Sequence, residues 1–128
     1  MDLNLKGQSA LVTGSTKGIG RAIIETLSDE GCNIALCARN ADDVAAAVKA
    51  IAAKGVKCTG DAFDVNDADA FKAFVDKAAG ELGGLDIFVS NVTGSNAPGD
   101  EGWISQFNGN ILTAVHGVEA CKPYLEKS

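Results

Sequence analysis

Ten residues near the start constrain the fold more than any others: Leu11-Val12-Thr13-Gly14-Ser15-Thr16-Lys17-Gly18-Ile19-Gly20. An apolar run enters a turn with three glycines, and a helix-period pattern of Ala22, Ile23 and Leu27 follows. A strand that turns tightly into a helix builds an anion site. Glycine lets the chain turn and keeps Cβ atoms away from phosphate oxygens. The unpaired N–H groups and the positive dipole end of the helix then face the phosphate. The segment therefore points to a dinucleotide, with Gly14, Ser15, Thr16, Lys17, Gly18, Ile19 and Gly20 as its cradle.

Length and composition narrow the field. The 128 residues make one domain, 1–128, large enough to bury a core. The net charge of −6 argues against a nucleic-acid surface, which needs clustered Lys and Arg. No apolar stretch reaches the length that spans a bilayer. The start, Met1-Asp2-Leu3-Asn4, has no basic region followed by an apolar core, so it does not read as a secretory signal. Cys32, Cys37, Cys58 and Cys121 lack paired metal-ligand spacing. They read as small apolar residues of a reducing cytoplasm, and no metal is expected.

The chain repeats one unit: apolar run, polar turn, helical pattern, glycine. Strands are expected at about 9–13, 33–38, 56–63 and 85–90. The helix after the second strand carries Ala41, Val44, Ala45, Val48, Ile51 and Ala52 on one face and stops at Gly55. The next carries Phe71, Phe74, Val75, Ala78 and Leu82 and ends at Gly83-Gly84. Asn40 stands three residues before Asp43, and Asn66 three before Asp69, so both asparagines are expected to cap helices. Alternating strands and amphipathic helices argue for a doubly wound parallel sheet with right-handed crossovers. A polar loop, 92–100, precedes a predicted continuous helix over about 101–127. Its seam of Ile104, Phe107, Ile111, Ala114, Val118, Cys121 and Leu125 would pack on the sheet or be shared with another subunit. Pro123 is expected to kink its last turn. His116, the single histidine, reads as a surface or packing residue, and Trp103 as packing at the helix start.

Several of these motifs, in this order and at these distances, resemble the short-chain dehydrogenase/reductase family. Thr13–Gly20 is similar to its TGxxxGIG turn. Asp64-Val65 resembles the pair that holds the adenine ring, and Leu85-Asp86-Ile87-Phe88-Val89 the strand before its NNAG segment. That segment reads Ser90-Asn91-Val92-Thr93 here, with Gly94 one place late. Asn91 keeps the second asparagine, and Val92-Thr93 replaces the small Ala-Gly pair beside the nicotinamide ribose. Asn110 falls where the family has the helix asparagine of its proton relay. The resemblance implies a Rossmann-like sheet of strand order 3-2-1-4, incomplete because strands five to seven are absent.

It also implies that the chain is the N-terminal half of such a protein. The family's catalytic serine and Tyr-x-x-x-Lys stand on later elements. Tyr124 is the single tyrosine, sits on a different element, and is followed four residues later by Ser128, not lysine. The parent is then expected to move hydride between a nicotinamide cofactor and a carbonyl or secondary alcohol, with this chain inactive alone. A non-catalytic nucleotide-binding module and an interaction surface are the alternatives.

The expected cofactor is NADP. NAD binders of this architecture usually carry an acid at the end of strand two. Here that place is Arg39, nineteen residues after Gly20, with Asn40 beside it. A guanidinium can grip a 2′-phosphate that an acid would repel. Lys17 adds a second cation on the same side. An open fourth strand and the long apolar seam point to a homo-oligomer through the last helix.

Overall fold

The computed structural model describes residues 2–94 and 97–128. Four parallel strands, β1 (Ser9–Thr13), β2 (Asn33–Ala38), β3 (Cys58–Ala62) and β4 (Ile87–Val89), form one sheet in the order β3-β2-β1-β4. Helices α1 (Gly18–Asp29), α2 (Ala41–Ala52) and α3 (Ala68–Leu82) connect them. After β4 come α4 (Gly99–Gln106), a π-helical segment Phe107–Leu112, and α5 (Thr113–Leu125). Residues 95 and 96 of the expected loop lie outside the described residues.

Strand side chains alternate between the two faces, so each strand feeds two cores. Ala10, Val12, Ile34 and Leu36 pack with Ile24 of α1 and Val44, Ala47 and Ile51 of α2. Leu11, Ala35 and Cys37 pack with Phe71, Phe74, Val75 and Ala78 of α3 and Cys121 of α5. Every residue of β1 is buried because the strand is covered on both faces and paired on both edges. The doubly wound parallel sheet expected from the alternation is present, in the Rossmann-like strand order that the resemblance implied. β3 and β4 are shorter than the expected 56–63 and 85–90. Just before β4, Asp86 is tied to the start of β1 twice: its backbone N donates to Ser9 O and its Oδ2 accepts from Ser9 N, both at 2.8 Å.

One helix cap matches its expectation and one moves. Asn40 Oδ1 accepts from Asp43 N at 3.0 Å and starts α2. α3 is capped by Asp67 instead of Asn66: Asp67 Oδ1 accepts from Ala70 N at 3.1 Å. Asn66 is already engaged, donating from its backbone N and its Nδ2 to Asp64 Oδ1 at 2.9 and 3.1 Å.

The expected continuous helix 101–127 is a larger correction. It begins at Gly99 and is interrupted by the π-helical segment. Two glycines mark the reason. A Cβ on Gly94 would lie 2.2 Å from Ser105 O, and one on Gly109 would lie 2.5 Å from Gly94 N. The chain leaving β4 thus runs backbone to backbone against this stretch. A π turn also shifts the phase of everything after it, which splits the seam. Cys121 is buried, with Ala114 and Leu125 half-buried, whereas Ile104, Phe107, Ile111 and Val118 are 50–61% exposed. Contact with the sheet goes instead through Thr113, Gly117 and Cys121, and the Phe88 ring lies over Gly117. Pro123 lies within α5, which continues to Leu125. Among the described residues no helix is long and apolar enough to cross a membrane.

Candidate functional site

The carboxyl ends of β1, β2 and β3 and the segment after β4 enclose a cleft of about 530 Å³. Its floor is the glycine turn. Gly14 and Gly18 have φ of +61° and +59°, in the left-handed region that favours glycine. Ser15 points inward: its Oγ donates to Val12 O at 2.8 Å and its N to Cys37 O at 3.3 Å, so it braces the turn against β1 and β2. Lys17 is the N-cap of α1 but makes no side-chain cap, and no acid stands in the first turn. The helix therefore presents unpaired N–H groups and a positive end, as an anion site requires.

The wall after β4 is fastened to that floor. Asn91 donates from its backbone N to Thr13 Oγ1 and from Nδ2 to Gly14 O, both at 3.0 Å. Gly20 makes this possible, since a Cβ there would lie 2.2 Å from Gly14 O and 2.6 Å from Asn91 Nδ2. Val92 packs against the core on the α3 side. Asn110 sits in the π-helical segment, and its Oδ1 accepts from Gly94 N at 2.9 Å.

The far end of the cleft carries the charges. Arg39 and Asn40 are exposed at the end of β2, and Arg39 makes no ion pair among the described residues. Lys17 does: its Nζ lies 3.3 Å from Asp43 Oδ2. Asp64 follows β3, with one oxygen used by Asn66 and its side chain exposed. Val65 is buried beneath it. Burial pushes the Cys37 thiol up to about 12, so the sulfur beside the turn stays protonated at neutral pH.

Of the residues read as site residues, Gly14, Thr16, Lys17, Arg39, Asn40, Asp64, Val65, Asn91 and Val92 line the cleft together. Ser15, Gly18, Ile19, Gly20 and Asn110 are not part of that lining. Ser15 and Gly20 shape the turn from inside, Gly18 supplies its backbone bend, and Ile19 is 75% exposed. Asp43, Phe63, Asn66, Gly94 and Ser105 also line it. Asp43 was legible as a capping partner only, and Ser105 arrives through the contact with Gly94.

Tyr124 stands at the other end of the sheet. Its hydroxyl donates to Asp76 Oδ1 at 2.6 Å, which holds the hydroxyl above the usual tyrosine range. Together with Asp86, Lys127 and Ser128 these two residues line a separate cleft of about 440 Å³. Among the described residues no group of His, Cys, Asp and Glu could hold a metal ion.

The geometry thus offers an anion cradle at the start of α1, with cations and acids further along the same cleft. A family profile for short chain dehydrogenases matches residues 8–128. Isoepoxydon dehydrogenase of Penicillium expansum is 34% identical over 97% of this chain and 49% of its own length. The solved structure of L-sorbose reductase from Gluconobacter frateurii, complexed with NADPH and L-sorbose, is 34% identical, with a TM-score of 0.92 over 99% of this chain and 51% of that one. A short chain dehydrogenase from Mycobacterium paratuberculosis, bound to NAD, is 25% identical, with a TM-score of 0.87 over 96% of this chain and 52% of that one. The chain spans about half the length of the curated relatives it matches. Fold, turn and sequence agree, and the chain belongs to the short-chain dehydrogenase/reductase family of oxidoreductases.

Proposed function

We propose that residues 1–128 form one dinucleotide-binding domain that supplies the cofactor half of an NADP-dependent oxidoreductase. One observation carries this reading: a single cleft joins the uncapped, glycine-lined start of α1 to Arg39 at the end of β2, with no acid at that position. The turn Gly14–Gly20 would hold the pyrophosphate on backbone N–H groups. Arg39, with Asn40 and Lys17, would hold the ribose 2′-phosphate. Asp64 would accept from the adenine amine, and the Val65 backbone would meet the ring edge. Asn91 and Val92 would flank the nicotinamide ribose. Bound there, the cofactor supplies or accepts a hydride, against a carbonyl or a secondary alcohol. Asn110 would fix the strand-end segment through Gly94 and steady the proton path beside it.

The relatives do not share one cofactor, since one neighbour binds NADPH and another NAD. The choice for this chain therefore rests on Arg39. The exposed apolar stripe Trp103, Ile104, Phe107, Ile111, Val115 and Val118 supports a homo-oligomer formed through α4 and α5. Four free cysteines fit a reducing cytoplasm. Fluorescence titration of the purified protein with NADPH and NADH tests the cofactor reading. NADPH is expected to bind more tightly, and equal affinities would overturn it.

A further inference from the structure

At the adenosine end of the cleft, charges of both signs stand together. Lys17 begins α1, and Asp43 lies in the first turn of α2. Their side chains meet at 3.3 Å, with 80% and 36% of each exposed. Both line the cleft beside Arg39 and Asn40. Lys17 is thus a cation with a partner, whereas Arg39 makes no ion pair among the described residues.

The two halves of the pair differ in reach. Asp43 is short, and its backbone N is tied to Asn40 Oδ1 at 3.0 Å, which anchors it to the start of α2. Lys17 has a long flexible stem and can swing to another anion. A ribose 2′-phosphate arriving beside Arg39 must draw Lys17 away from Asp43. An adenosine with free ribose hydroxyls leaves the pair as it is.

We propose that Asp43 is a positioning residue that tunes cofactor specificity: it competes with the ribose 2′-phosphate for Lys17 and so restrains the preference for the phosphorylated cofactor. This inference rests on the cofactor reading above. The carboxylate touches the cofactor only through Lys17, so its effect is confined to ligands that carry a 2′-phosphate. Exposed ion pairs are worth little in water, so the effect is a few-fold change in affinity and not a switch.

The probes are adenosine 2′,5′-bisphosphate and adenosine 5′-monophosphate, which differ by the 2′-phosphate alone. Calorimetric titration compares the unmutated protein with Asp43→Asn, Lys17→Met and the double variant. Asp43→Asn removes the charge and keeps the shape and the backbone donor, and Asp43→Ser serves as a second charge-free variant. The bisphosphate is expected to bind about three- to fivefold tighter to Asp43→Asn, with the monophosphate unchanged within about twofold. That gain is expected to vanish when Lys17 is Met. An equal gain for both probes, no gain, or a gain that survives Lys17→Met would overturn the proposal. The cofactor reading fails separately, if the unmutated protein does not favour the bisphosphate. In that event a preference appearing only in Asp43→Asn sustains the role of Asp43, and its absence in both proteins overturns the two together.

Discussion

Gly14, Gly18 and Gly20 occupy one short turn for different physical reasons. Gly18 has φ of +59° and nothing within 4 Å of a Cβ placed on it, so its surroundings are open. Gly20 has an ordinary φ but no room at all, because Gly14 O would lie 2.2 Å from its Cβ. Their variants should therefore part. Gly18→Val should leave a folded protein, strained by about 1–2 kcal/mol, that no longer binds NADPH. Gly20→Ala should lower stability by about 1–3 kcal/mol through overpacking. Urea melts paired with cofactor titration would check both, and tight NADPH binding by Gly18→Val would remove the turn as the phosphate site. Arg39→Asp should reverse cofactor preference, at a cost to NADPH binding of about 1.5–3 kcal/mol for the lost charge-assisted contact. Titration with both cofactors reads it, and unchanged preference would show that Arg39 is only a solvated charge. At this scale the sequence was readable wherever a residue acts through local spacing. Asp43 lay beyond it, because the Asn40–Asp43 spacing describes a helix cap and says nothing of a lysine on another helix.

At the scale of elements, the alternation of strands and helices was legible because both faces of the sheet are covered, which leaves nearly unbroken apolar runs in β1 and β2. The π-helical segment was not legible. Phe107-Asn108-Gly109-Asn110-Ile111-Leu112 carries no proline, and its apolar positions suit an ordinary helix. What widens the turn is tertiary: Gly109 meets the backbone of Gly94, a residue that in sequence looks merely displaced by one. Gly109→Ala should cost about 1–3 kcal/mol, since neither backbone can yield easily. Asn110→Ala removes one exposed hydrogen bond to Gly94 N and should cost about 0.5–1.5 kcal/mol. Urea midpoints for the two variants test the order, and a neutral Gly109→Ala would mean that the segment relaxes around the new methyl.

For the molecule as a whole, the glycine turn and the one tyrosine lie at opposite ends of the sheet. Tyr124 is held by Asp76, and the cleft at the glycine turn has no tyrosine in its lining. Carbonyl reduction needs a proton donor within reach as charge develops on oxygen. Residues 1–128 assayed alone are thus expected to show no NADPH-dependent ketone reduction. The exposed stripe of α4 and α5 should also make them self-associate, which light scattering would measure. Ketone turnover, or a strictly monomeric mass at high concentration, would contradict one or the other part. The strand order has a further consequence, in time instead of space. β1 pairs with β2 after a single helix, but Ser9 meets Asp86 across 77 positions. As the chain leaves the ribosome, β1, β2 and β3 can assemble while the second edge of β1 is still bare. That edge must wait for β4, so closing it is the slow, non-local step and the moment at which a nascent chain is most open to pairing with the wrong strand.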